Sequence, residues 1–446
     1  MESNVLTRLV RPVVRPFTEF IERETSSGII LLVVSVLALI LANIDVGFAR
    51  HVPAIWENYL SLAVNTFRLE KTLAHWINDG LMALVFLIVG LEIKREVLEG
   101  ELSSIQQASL PLFCAVGGMV VPAGLYALFN AGTATAGGWG IPMATDIAFA
   151  LAIVYLLGDR VPLSLKVFLT ALAIVDDLGA VMVIALFYTT DLQLNYLYAA
   201  GIVLAVLFLL NRLGLRALPV YLVLGLVLWY FTLKSGIHAT VAGVLLAVTI
   251  PFRIRFSREE VLQSVQDRLV VINEQLDTSR VQPRDIAEEL EDLNNRISSP
   301  AQRLENQLHG LVSFFVVPLF AFCNTSLVID LDTLGQLGSP LSIGIMVGLL
   351  LGKPLGILLF AVLGVRLRLA SLPEGISWRQ VTGVAFLAGI GFTMSIFITL
   401  LAFDARPAEQ DVSKLAILIA SLLAGSVGYG LLRTAPARTP ATSLRQ

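Results

Sequence analysis

Charge is what this 446-residue chain has least of: 15% of its residues are Asp, Glu, Lys or Arg, and 56% are hydrophobic. Ordinary soluble domains carry about a quarter charged residues. With a mean hydropathy of +0.79, the composition excludes a soluble globular protein and points to a polytopic membrane protein. A net charge of −3, with no basic block outside one loop, excludes a nucleic-acid partner. Cysteine is nearly absent. Cys114 and Cys323 both lie in apolar runs without ligand spacing, which excludes a disulfide framework and a zinc site. The first apolar run, "GIILLVVSVLALILANI", lacks a small-residue cleavage site, so it reads as a retained first span rather than a signal peptide.

What is present is a series of apolar runs of about 20 residues, the length that crosses a bilayer. They fall near 28–48, 77–95, 109–129, 137–157, 163–189, 194–211, 217–233, 236–252, 308–327, 341–364, 380–403 and 411–432. The prediction is an all-α integral membrane protein of about twelve spans. The pair at 217–252 is the least separated, by Lys234-Ser235-Gly236 alone. With the N-terminus inside, most of the 31 Lys and Arg fall on the cytoplasmic side, which predicts both termini cytoplasmic. The organisation reads as a cytoplasmic segment 1–27, spans 1–8 over 28–252, a charged insertion 253–306, spans 9–12 over 307–433, and a tail 434–446. In the insertion, Val261, Leu262, Val265, Leu269 and Ile272, then Ile286, Leu290, Leu293 and Ile297, recur at helical spacing. A cytoplasmic helical hairpin is predicted there. In the outer loop 49–75, "LAVNTFRLEKTL" partly alternates and predicts a short strand or hairpin.

Four charges find no interface. Asp176 and Asp177 stand side by side in "LAIVDDLGAVMVIALF"; Asp146 lies midway along the fourth span and Lys353 midway along the tenth. A carboxylate at the centre of a span costs about 2.5 kcal/mol or more. Three acids and one base at similar depth therefore predict one shared site facing a polar cavity. A buried ion-pair cluster that merely locks helices together is the competing reading, but such pairs stabilise poorly. Neighbours on a helix point about 100° apart, so Asp176 and Asp177 address different partners. One faces a bound cation and the other turns toward Lys353. Cation binding needs deprotonated ligands and displaces protons. The two carboxylates, the Thr145 hydroxyl and freed backbone carbonyls supply the oxygens that a hard cation such as Na⁺ wants.

Two spans are broken. "GWGIPMAT" interrupts the fourth with Gly138, Gly140 and Pro142, and "LAGIGFTMSIF" interrupts the eleventh with Gly389, Gly391, Thr393 and Ser395. Broken backbone survives in a bilayer only where protein or water satisfies it, although small residues also serve helix packing. Short helices that end there present charged dipole ends, which Asp146 and Lys353 would neutralise. Spans 4 and 11 hold equivalent places in triplets 3–5 and 10–12, which predicts inverted repeats with two discontinuous crossing helices.

At these residues the sequence resembles the NhaA family of bacterial sodium/proton antiporters. The stretches that carry the resemblance are "INDGLMALVFLIVGLEIKRE", "GWGIPMATDIAFAL", "ALAIVDDLGA", "GIHATVAG", "PLFAFCN", "LLLGKPLGI" and "GIGFTMSIFI", over about 28–252 and 305–432. That family is itself a standard example of inverted repeats, so the repeat reading and the resemblance are not independent. The resemblance implies an electrogenic, pH-regulated exchanger of Na⁺ or Li⁺ for protons in the bacterial inner membrane, without a cofactor, and as a homodimer. It implies that Asp177 leads cation binding, that Asp176 associates with Lys353, and that Thr145 and Asp146 belong to the broken helix. It also implies pH-sensing roles for Glu92, Glu96, Glu305 and His309. Asn306 stands where the family pattern has a second histidine, and the 253–304 insertion precedes the same element; both put the pH set-point in question. Plainer readings stand beside these. Glu92 and Glu96 flank Lys94 and Arg95, which allows interfacial pairing, and His309 reads equally as a helix-end residue. His238 reads as interfacial or as a ligand, and Asp79 as a functional acid or a helix cap.

Two rivals are weighed against exchange. An intramembrane aspartyl protease needs two carboxylates sharing a proton, and the G-x-G-D context is absent around Asp146 and Asp176. A sodium-coupled solute symporter is the nearer alternative, but it would want more aromatic and polar side chains at mid-span.

Overall fold

In the computed structural model, the described residues are 25–44, 52–64, 67–189, 192–252, 298–372 and 375–435. The N-terminal segment to residue 24, residues 253–297 of the predicted 253–306 insertion with its predicted hairpin, and the tail beyond 435 lie outside them, while 300–306 belong to helix Pro300–Leu311.

The helices used below are α1 (Thr25–Asn43), α2 (Met82–Leu98), α3 (Ile105–Asn130), α4 (Ile147–Leu156), α5 (Leu163–Phe187), α6 (Leu194–Arg212), α7 (Leu218–Ser235), α8 (Val241–Thr249), α9 (Pro300–Leu311), α10 (Val317–Thr325), α11 (Pro340–Val347), α12 (Lys353–Arg366), α13 (Trp378–Ala388), α14 (Phe392–Ala402) and α15 (Pro407–Arg433). Among the described residues, 10 helices are long and apolar enough to cross a membrane, and the α13–α14 pair, bent by 43°, makes an eleventh. The protein is an all-α multi-pass membrane protein.

The eighth predicted run, 236–252, forms only the nine-residue α8. Gly236 takes φ +89 at the end of α7, a left-handed conformation that costs any other residue a Cβ clash. Pro251 then holds Ile250 in extended backbone and closes the helix. The outer loop contains a two-stranded antiparallel hairpin, β1 (Tyr59–Val64) with β2 (Phe67–Thr72), in which Tyr59 faces Thr72 and Val64 faces Phe67.

Helix starts follow the side chains that can satisfy free amides. Ser104 accepts from the Gln107 amide at the start of α3, and Ser339 accepts from Ser342 at the start of α11. Ser377 and Gln380 make a reciprocal capping box on α13. Proline opens α7, α11 and α15, where its missing N–H is no loss.

The chain divides into two compact units. One comprises Met1–Met82, Glu96–Thr190 and Val312–Gln446; the other comprises Ala83–Arg95 and Asp191–Leu311. The second has a core of Leu91, Leu207, Tyr221, Leu228, Leu246 and Ile250. In it, the Lys94 ammonium donates to the carbonyls of Ala247 and Val248 at 3.2 and 2.8 Å, and to Ile250, capping the negative end of α8. In the first unit α5 is the most enclosed span, with 72% of its most apolar window buried. That helix carries Asp176 and Asp177.

Candidate functional site

The site grows from the interruption of the fourth span. Ala136–Met143 winds as a tight 3-10 helix, Ala144 is extended, and α4 begins after Asp146. The break leaves amide and carbonyl groups without helical partners. The second break, between α13 and α14, provides some of them. The Asp146 amide donates to the Ile390 carbonyl at 2.7 Å, and the Ser395 hydroxyl donates to the Ile141 carbonyl at 2.8 Å.

Asp146 serves two helix N-termini at once. Its Oδ1 accepts from the Phe149 amide at 2.9 Å, and its Oδ2 accepts from the Thr393 amide at 3.1 Å and from the Thr393 hydroxyl. A carboxylate between two positive dipole ends is the favourable sign. Lys353 attends to the opposite polarity: its ammonium donates to the Met143 carbonyl, where the 3-10 segment ends.

The same ammonium lies 2.8 Å from Asp176 Oδ2, with both side chains wholly buried. Asp176 Oδ2 also lies 2.8 Å from the Thr145 hydroxyl, which is 2.9 Å from the Ala388 carbonyl. That hydroxyl has one proton and serves one of the two acceptors at a time. Asp176 Oδ1 is buried with no hydrogen-bond partner among the described groups. Asp177 follows on α5 and is 3% exposed. Among the described residues, three buried carboxylates thus share one unit with a single fully buried ammonium, Lys353. Ionised together they leave a net negative site, and desolvated charge costs several kcal/mol per ion when uncompensated.

The structure brings Thr145, Asp176 and Lys353 into one hydrogen-bonded group; Asp146 adjoins Thr145 in the chain and bonds instead to Phe149 and Thr393, and Asp177 follows Asp176 on α5. The remaining sequence-selected residues lie elsewhere in the chain. Glu305 is buried at the first turns of α9 and pairs with Arg95 at 2.5 Å within the second unit. Glu92 belongs to the same unit, as does the exposed His309. Glu96 accepts from the Glu101 amide at 3.0 Å in the first unit. His238 Nδ1 is 2.9 Å from the Thr240 hydroxyl in the turn before α8. Asp79 sits within a widened π-type turn, Trp76–Leu81; the cap just before it is Thr72, whose hydroxyl accepts from the His75 amide. Asp79 is therefore not a helix cap.

Sequence reasoning passed over Thr393 as a partner of Asp146, having taken it only as part of the break. A hydroxyl two residues past Gly391 was the available signal. The carbonyls of Met143, Ala388 and Ile390 carry no sequence signal, because every residue has one. Among the described residues no group of three or more His, Cys, Asp or Glu could hold a metal ion. The available chemistry is that of oxygen ligands and exchangeable protons.

A profile of the family described as "Na+/H+ antiporter 1" matches residues 18–432. The chain is 49% identical over 423 residues to "Na(+)/H(+) antiporter NhaA" of Oleidesulfovibrio alaskensis, covering 94% of this chain and 93% of that one. It is 46% identical to the protein of the same name from Shewanella sediminis, over 93% and 94% of the two chains. With a third, from Shewanella sp. strain MR-4, it shares 47% identity over 92% and 95%. A match this continuous runs through both interrupted spans and the four mid-span charges, and the chain belongs to the Na+/H+ antiporter 1 family.

Proposed function

We propose that the protein exchanges Na⁺ or Li⁺ for H⁺ across the bacterial cytoplasmic membrane, extruding sodium, with Asp176, Asp177 and Thr145 as the groups that hold cation and proton in turn. It is a transporter and not an enzyme. The observation that carries the site assignment is the charge balance of the buried constellation. Asp146, Asp176 and Asp177 are buried in the unit that holds the buried Lys353 ammonium, which pairs with Asp176. A further positive charge lowers the cost of burying these carboxylates, and a proton or a Na⁺ ion each supplies one. Only the deprotonated carboxylate binds the metal ion, so the two compete for the same oxygens. Opening the loaded site alternately to each side turns competition into exchange.

In this reading Asp177 is the leading cation ligand and Asp176 holds Lys353. Asp146 and Lys353 compensate the helix ends of the two breaks. More than one titratable group in the site allows more than one proton per Na⁺, the basis for electrogenic transport. Glu92, Glu96, Glu305 and His309 set the pH range, and Asp79 and His238 are further candidate polar groups. Both termini are cytoplasmic, and the working unit is a homodimer embedded in the bilayer.

The test uses inside-out vesicles from cells lacking their own antiporters, with a respiration-generated pH gradient reported by an acridine dye. Collapse of the gradient by NaCl and LiCl but not KCl, between pH 6.5 and 9, is the expected result. No collapse at any pH, with the protein confirmed in the membrane, would overturn the reading and favour a sodium-coupled solute symporter.

A further inference from the structure

Lys353 reaches Asp176 from an irregular piece of helix. Between α11 and α12 the five residues Gly348–Gly352 form a π-type turn, closed by the Lys353 amide donating to the Gly348 carbonyl. Such a turn holds one residue more than an α-turn, and single π-turns recur at functional sites. Its local cause is Pro354. A proline ring crowds the carbonyl four residues back, here that of Leu350, and a widened turn relieves the clash.

The turn also solves a packing problem. Gly344, Gly348, Gly352 and Gly356 are spaced four apart, and all four lie in close contact. A Cβ on Gly344 would come within 2.5 Å of Asn130 and one on Gly348 within 2.6 Å of Pro142, with the Pro122 carbonyl at 3.4 Å. One on Gly352 would meet Pro122 Cα at 2.9 Å, and one on Gly356 would overlap the Gly117 carbonyl. On an unbroken α-helix a four-residue row drifts by about 40° per step, or about 120° from Gly344 to Gly356. The extra residue takes back about 100° of this. The glycine row therefore stays on α3 across the turn, and Lys353, next to Gly352, is delivered to the Met143 carbonyl and to Asp176.

We propose that the π-type turn Gly348–Gly352 is the positioning device for Lys353, with Gly352 as its central positioning residue. The turn acts on cation binding only through the lysine. This rests on the cation-exchange reading above. An α-helical turn at the same place would rotate Lys353 by about 100° away from Asp176 or pull the glycine row off α3.

The experiment measures ²²Na⁺ binding to the purified full chain, so that no turnover is needed. Deleting Leu351, which is 47% exposed, removes the extra residue and leaves every site residue and glycine in the chain. Its half-saturating Na⁺ concentration is expected to differ at least fivefold from native and to match that of Lys353→Ala within about twofold. The deletion combined with Lys353→Ala is expected to shift no further. Leu351→Ala, which keeps the length, is expected to bind as the native chain does. If the deletion variant does not purify as a single species, Gly352→Ala carries the same expectations. Native half-saturation in the shifted-turn variant, or a double variant whose shift is the product of the two singles, would overturn the proposal. Absence of ²²Na⁺ binding by the native chain itself would instead overturn the exchange reading beneath it.

Discussion

A lysine with no exposed surface is costly unless every donor finds an acceptor. Lys353 finds Asp176 and the Met143 carbonyl. Neutralising one member of this set should therefore disturb function more than folding when its neighbours keep their partners. Asp177→Asn is expected to abolish Na⁺-dependent collapse of a pH gradient while the protein still inserts and elutes as a single species. A well-expressed variant with full exchange would remove Asp177 from the site. Thr393→Val deprives Asp146 of a hydroxyl donor but leaves the two amide donors in place. It is expected to lower stability by about 1–2 kcal/mol, with Thr393→Ser close to native, as read by thermal unfolding in detergent.

Elements end where side chains or backbone geometry end them. Gly236, at φ +89, separates α7 from the turn before α8. Gly236→Ala is expected to destabilise by about 1–2 kcal/mol, the cost of a left-handed Cβ, measured as a lowered thermal midpoint. Outside the spans, Asp330 caps the short helix Leu331–Gly335 by accepting from the Thr333 amide at 2.7 Å. Its hydrogen bonds with Thr333 hold the carboxyl below its ordinary 3.8. The ionised form is the one the folded helix favours. The cap's contribution is therefore present above 3.8 and fades as pH falls through the lowered value. Hydrogen exchange at the Thr333 amide is expected to gain protection across that range as pH rises. Asp330→Asn should lose that pH dependence and keep a cap, and an unchanged pH dependence would refute the linkage.

At the scale of the whole molecule, the insertion 253–297 leaves from and returns to one place. The Ala301 amide donates to the Pro251 carbonyl at 3.2 Å, so the flanks of the segment are already joined. Closing a short loop between such ends costs little chain entropy. Replacing residues 254–297 by a short Gly/Ser linker is expected to leave a folded chain that still exchanges Na⁺ for H⁺. Loss of exchange with intact insertion would assign the segment a role in transport.

Apolar runs, turn residues and misplaced charges are local facts, and they made the spans, the outer hairpin, the two breaks and the four mid-span charges legible from the sequence. The eighth span was legible as hydropathy but not as a nine-residue helix, because hydropathy does not register a left-handed glycine or the reach of Lys94. The cap alternative for Asp79 fails because Thr72 already occupies that place, which the sequence does not show. The resemblance already implied that Lys353 meets Asp176; which hydroxyl completes Asp146 and which carbonyls fill the breaks were decided by tertiary structure alone. Those contacts join residues far apart in the chain, 210 positions for Lys353 with Met143 and 247 for Thr393 with Asp146. Their partners are backbone atoms common to every residue, or side chains whose direction depends on helix rotation. A one-residue π-turn changes that rotation by about 100° without changing the hydrophobic pattern that announces the helix.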